Sequence, residues 1–218
     1  MDLKGLKINF LGDSITEGHG VSGEGNIYWQ VFGRNTGAVV RGYGIGGTRF
    51  ARQTVPSAYP RHDLDFVMRA AEMDEDADVV VVFGGTNDFG HGDAPIGCFA
   101  DRESDTFYGA CHKLFTLLIN KYPEATIVIM TPLHRWNEDN PRGDGRKTED
   151  VGVLSRYVAI IKEVAEFYSL PLLDMWSISG IQPQVPVLRE KYCPDGLHPN
   201  DAGHAIMAKR LEGFLKSL

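Results

Sequence analysis

Four consecutive valines, Val79 to Val82, stand between Asp78 and Phe83, and Ile127 to Met130 form a second unbroken apolar run. A strand with one wet face alternates apolar and polar residues. Unbroken runs of this length, bounded by turn residues, therefore read as strands covered on both faces, as the central strands of a parallel sheet are. The expected strands are Leu6 to Leu11, Asp78 to Phe83 and Ala125 to Met130, with weaker ones at Ala38 to Arg41 and Pro171 to Asp174.

Stretches of helical period separate them. Leu64, Val67, Met68 and Ala71 fall at i, i+3, i+4 and i+7, and Leu154, Tyr157, Ile161, Val164 and Tyr168 mark a second stripe. Residues 103–120 and 202–217 supply two more helices, the last turning Ile206, Leu211, Phe214 and Leu215 inward. Strands alternating with helices predict an α/β class, a three-layer α/β/α sandwich around a flavodoxin-like, five-stranded parallel sheet in the order 2-1-3-4-5. The length of 218 residues suits one domain spanning 1–218. Residues 137–148, crowded with charge and with Pro141, Gly143 and Gly145, read as a mobile loop.

The net charge of -7 gives no field to draw the chain to nucleic acid. No apolar run approaches the roughly 18 residues of a membrane span, and the opening residues lack the apolar stretch of a secretory leader. Cys98, Cys111 and Cys193 contain no C-x-x-C pair, so neither a disulfide framework nor a four-cysteine zinc site is expected. These features predict a cytoplasmic protein with a small-molecule partner, neither nucleic acid nor membrane.

Ligands of open α/β sheets bind beyond the carboxyl ends of the strands, and four segments crowd those ends. They are Gly12 to Thr16, Gly42 to Thr48, Gly84 to Asp88 and Asp195 to Pro199. Taken singly, each is an ordinary glycine-rich turn. Together they supply a serine hydroxyl, a histidine with a carboxylate three residues before it, glycine-freed backbone N–H groups and a side-chain amide. Acyl transfer needs those parts. A serine is a weak nucleophile until an imidazole takes its proton, and the imidazole needs a carboxylate on its other nitrogen. An oxyanion needs fixed donors, which glycine backbone and the Asn87 amide can provide.

These blocks resemble the SGNH hydrolases, also called the GDSL family of esterases and acylhydrolases. The Gly-Asp-Ser block matches at Gly12-Asp13-Ser14, Gly-x-Asn-Asp at Gly85 to Asp88, and Asp-x-x-His at Asp195 and His198. The remaining block glycine matches best at Gly47, with Gly46 as the alternative, because the asparagine often found five residues earlier is Gly42 here. Ile15 replaces the leucine of the family name. The resemblance implies Ser14 as nucleophile, His198 as base oriented by Asp195, and an oxyanion hole from Ser14, Gly47 and Asn87. It implies no metal and no cofactor.

Other readings compete. Gly42 to Gly47 fits the G-x-G-x-x-G of a nucleotide-binding domain, but Pro56 and Pro60 interrupt the helix that motif must open, and the motif follows the second strand instead of the first. A catalytically silent ligand-binding module would have no need of the full set of Ser14, Asn87, Asp195 and His198. His134 beside Trp136 is read as a packed loop residue or a substrate contact, and Tyr28 and Trp29 as core or as a wall for the substrate. Cys193 reads as a small buried residue. The resemblance covers acetyl esters of sugars, short aryl esters, lysophospholipids and thioesters. Polar loops at Gly90 to Ala94 and Asn137 to Thr148 offer no long apolar stripe, which favours short acyl groups.

Overall fold

A computed structural model describes residues 1–145, 147 and 151–218. The sheet has the order β2-β1-β3-β4-β5 and is parallel throughout. Its strands are β1 (Lys7–Gly12), β2 (Val39–Gly44), β3 (Val79–Phe83), β4 (Thr126–Met130) and β5 (Leu172–Leu173). This is the expected topology. The central three strands begin one residue later than their apolar patterns suggest, while β2 runs on through Tyr43 and Gly44. That edge strand is half-exposed along its length, so its residues carry little of the apolar signal that marks β3.

The valine run divides by alternation. Val80 and Val82, with Leu11 and Ile129, meet α3 (Phe66–Glu72), α5 (Phe107–Lys121) and α6 (Leu154–Phe167) on one face. Val79, Val81 and Phe83, with Ile8 and Phe10, meet α2 (Tyr28–Thr36) and α9 (Asp201–Ser217) on the other. Each side chain of β3 is buried, and full burial of a valine or phenylalanine contributes about 1.5–3 kcal/mol. The remaining α-helices among the described residues are α1 (Ser14–Glu17), α4 (Thr86–His91), α7 (Met175–Ile178) and α8 (Pro186–Tyr192).

One expectation needs correction. In α3 the period is as expected but the phase is not. Leu64, Met68 and Ala71 are exposed and Val67 is half-buried, while Phe66, Arg69, Ala70 and Met73 face inward. An arginine occupies the inner stripe, so counting apolar residues selects the wrong face. The stretch 137–148 is held down as far as it is described, residues 146 and 148 lying outside the described set. The Asn137 amide donates to the Gly143 carbonyl at 3.0 Å, and Asp144 N–H donates to the Gly90 carbonyl at 2.7 Å. Arg135 is ion-paired with Asp144. The segment is a loop as expected where it is described, and part of its charge is paired within the protein.

Candidate active site

The nucleophile loop is built by its neighbours in sequence. β1 ends at Gly12, where an added Cβ would sit 1.9 Å from Thr16 Oγ1, so only glycine lets the chain turn there directly into α1. Asp13 caps that short helix, its Oδ1 accepting Ile15 N–H at 3.0 Å. Ser14 is then the first helical residue and is 6% exposed. Beneath it, Tyr28 is buried with its hydroxyl 3.0 Å from Thr16 Oγ1, and the Trp29 indole donates to the Thr16 carbonyl at 2.9 Å. Both aromatics support the loop from below. Trp29 also fills the place where Gly42 has no side chain: a Cβ there would lie 2.4 Å from its ring.

Ser14 Oγ lies 3.0 Å from His198 Nε2, and His198 Nδ1 lies 2.7 Å from Asp195 Oδ2. The second carboxylate oxygen, Oδ1, accepts the N–H groups of Leu197 and His198 at 2.8 and 2.7 Å. Burial works to raise the Asp195 carboxyl, but these N–H bonds and the His198 ring outweigh it and hold the group below its ordinary value. An ionised Asp195 can only accept, so the ring proton belongs on Nδ1 and the Nε2 lone pair faces the serine hydroxyl.

The sheet register brings the remaining residues to the same rim. Gly12 pairs with Gly44 of β2 and with Phe83 of β3, so Ser14, Gly47 and Asn87 all follow strand ends at one level. Gly47 has φ +77°, and a Cβ there would meet the His62 ring at 2.5 Å. Glu17 bonds one of the two glycines. Its Oε2 accepts Gly46 N–H at 2.7 Å, whereas Gly47 N–H meets no acceptor among the described residues. Asn87, also buried, donates one amide proton to the Thr48 carbonyl at 3.0 Å and keeps the other.

Several residues around the site escaped the sequence reading. Arg69 donates to the carbonyls of Leu64, Tyr43 and Gly12 and to Thr48 Oγ1 at 2.7–3.0 Å, tying the ends of β1 and β2 to the Gly47 loop. Asp88, which the sequence named only as the end of the third block, accepts Phe50 and Ala51 N–H at 3.0 and 2.9 Å, which fastens the segment that follows Gly47. His91 Nε2 lies 3.2 Å from the Gly47 carbonyl. Glu17, three residues after Ser14, lies just past the first block and was given no role. By contrast, His134 is bonded to Glu138 at 2.9 Å and lies against Trp176, the packed-loop alternative. Cys193 is buried, and burial raises its thiol to about 12, so it is no nucleophile.

Asp13 offers a test of this buried electrostatics. Its Oδ2 has no hydrogen-bond partner among the described residues, and burial raises its carboxyl from 3.8 to about 6. A raised folded-state value favours the protein below the unfolded value and loses that contribution as pH rises through about 6. Asparagine keeps the cap to Ile15 and removes the charge. Asp13→Asn should therefore gain stability relative to wild type as pH rises from about 4 to 8, by up to roughly 3 kcal/mol. Thermal unfolding of both proteins across that range checks it, and a pH-independent difference would refute it.

The profile of the GDSL-like lipase/acylhydrolase family matches residues 10–206, a span that takes in all four blocks. The chain belongs to that family. It is 25% identical to the GDSL lipase Rv0518 of Mycobacterium tuberculosis over 221 residues, covering 97% of this chain and 82% of that protein. A crystal structure of a Lactobacillus plantarum protein superposes with TM-score 0.83 at 29% identity, covering 98% of both chains. The lipase/acylhydrolase of Enterococcus faecalis shares the fold at TM-score 0.68 and 20% identity, over 97% of this chain and 96% of that one. A GDSL-family chain of this kind is a carboxylic ester hydrolase. None of its described helices is long and apolar enough to cross a membrane.

Proposed function

We propose that this GDSL-family hydrolase cleaves esters of short acyl groups on sugars or other small molecules, through an acyl-serine intermediate. The observation that carries the mechanism is the unbroken bonded chain from Ser14 Oγ through the His198 ring to Asp195. His198 Nε2 takes the Ser14 proton as Oγ attacks the ester carbonyl, and returns it to the leaving alcohol. The same nitrogen then activates the water that releases the acid. The N–H groups of Ser14 and Gly47 and the free amide proton of Asn87 receive the oxyanion.

The short-acyl part rests on the surroundings of the site. Glu17, His19, Arg61, His62 and His91 stand beside the Gly47 loop and the nucleophile, a polar collar ill suited to a long alkyl chain. Three cysteines without a disulfide fit a reducing, cytoplasmic setting. Hydrolysis of 4-nitrophenyl esters from acetate to palmitate tests the reading. The largest kcat/KM should fall on acetate to butyrate and fade with length. A maximum on the long chains would overturn the short-acyl assignment, and no hydrolysis of any of them would overturn the aryl-ester activity itself.

A further inference from the structure

A cavity of about 780 Å³ lies beyond His91, between the chain that follows α4 and the start of α6. Val55, Ile96 and Val151 give it apolar walls, and His91, Lys147 and Arg156 give it polar ones. His91 is the partition between this cavity and the site: it lines the cavity while its Nε2 contacts the Gly47 carbonyl at 3.2 Å. The cavity thus begins one ring away from the glycine assigned to the oxyanion.

Among the described residues, two cations, Lys147 and Arg156, line it against one carboxylate, Asp93. Lys147 Nζ donates to the Asp88 carbonyl at 2.7 Å and to the Tyr157 hydroxyl at 3.2 Å, both uncharged acceptors, which leaves one of its three protons. The Arg156 guanidinium is exposed and pairs with no carboxylate among the described residues. Asp93, the acid on the wall, has its carboxylate taken by Thr54 N–H, Thr54 Oγ1 and Val55 N–H at 2.6–2.9 Å. Asp88, Asp144 and Asp93 all act on Lys147 through space, and of these Asp144 is already paired with Arg135. Arg156 moreover occupies the first turn of α6, whose N-cap residue, Val153, offers no side-chain acceptor. The positive end of a helix favours an anion there, and Arg156 adds a cation to it.

We propose that this cavity receives an anionic group, a carboxylate or phosphate, carried by the ester substrate on a short apolar stem that rests against Val55, Ile96 and Val151. The volume falls within the range of small-molecule sites, about 300–1,000 Å³. Burial pulls the Lys147 ammonium down to about 8, and a bound anion would reverse that pull. The inference rests on the esterase reading and narrows it: the substrate is an ester that bears a negative charge.

Two ester pairs test it, each differing by one charge and each corrected for its uncatalysed rate. Mono-4-nitrophenyl adipate against 4-nitrophenyl hexanoate places the charge on the acyl side. The acetyl ester of 4-hydroxybenzoate against that of its methyl ester places it on the alcohol side. In one pair the anionic member should have kcat/KM about 10-fold above the neutral one, as expected of a charge-assisted contact. Added salt should shrink that ratio, and Arg156→Glu, at an exposed position that folding tolerates, should invert it, with Arg156→Met intermediate. Ratios near one in both pairs, or a preference that survives Arg156→Glu, would overturn the inference while leaving Ser14-dependent hydrolysis of the neutral members standing. Hydrolysis of none of the four, or hydrolysis undiminished in Ser14→Ala, would sink the esterase reading and this inference with it.

Discussion

Replacing Ser14 by alanine should leave a folded protein whose ester hydrolysis is lower than wild type by on the order of 10⁴-fold or more. The fold should survive because the Ser14 side chain makes one hydrogen bond, to His198, while the turn around it is held by backbone bonds and by the Asp13 cap. Activity should not survive, because no other hydroxyl stands against His198 Nε2 among the described residues. Asn87→Ala should fall short of that loss, at about 10²- to 10³-fold in kcat, since backbone N–H groups still face the oxyanion. The pair of results separates a nucleophile from a donor. Steady-state kinetics on 4-nitrophenyl acetate, with circular dichroism to verify folding, measures both. A Ser14→Ala protein with near-normal turnover would refute the assignment outright.

Much of this molecule could be read before any coordinates, and what could be read has a common physical basis. Unbroken apolar runs announce β3 and β4 because a strand covered on both faces has no polar positions to interrupt it. Ser14, Asn87, Asp195 and His198 stand out because few other residue types can perform acyl transfer. The edge strands β2 and β5 were faint for the converse reason. β2 is half-exposed and ends in glycines, and β5 is two residues long. Least legible were contacts that join distant segments without any local pattern. Nothing in Gly42 to Thr48 says that Glu17 occupies the Gly46 N–H. Likewise, Gly42 departs from the family asparagine, and the cause lies with Trp29, which packs against it from α2.

Arg69 is the sharpest case, and its replacement should be the most damaging to stability. Its guanidinium is buried and serves four acceptors from three parts of the chain, while Asp13 and Asp65 balance its charge. Arg69→Met would leave those acceptors without donors and the carboxylates without their cation, a loss of about 3–5 kcal/mol for a buried charge network broken on one side. Arg69→Lys keeps the charge but cannot span the fork of sites that the planar guanidinium reaches, so it should fall between the two. Urea unfolding of the three proteins decides it, and an Arg69→Met variant within about 1 kcal/mol of wild type would show that the network is dispensable. The effect should also reach the chemistry. Arg69 is buried, yet it bonds the carbonyl that precedes Asp13 and the hydroxyl of Thr48, whose own carbonyl holds Asn87. Under conditions where Arg69→Lys remains folded, kcat should fall with little change in KM, because what loosens is the alignment of nucleophile and oxyanion donors, not the surface that binds the ester.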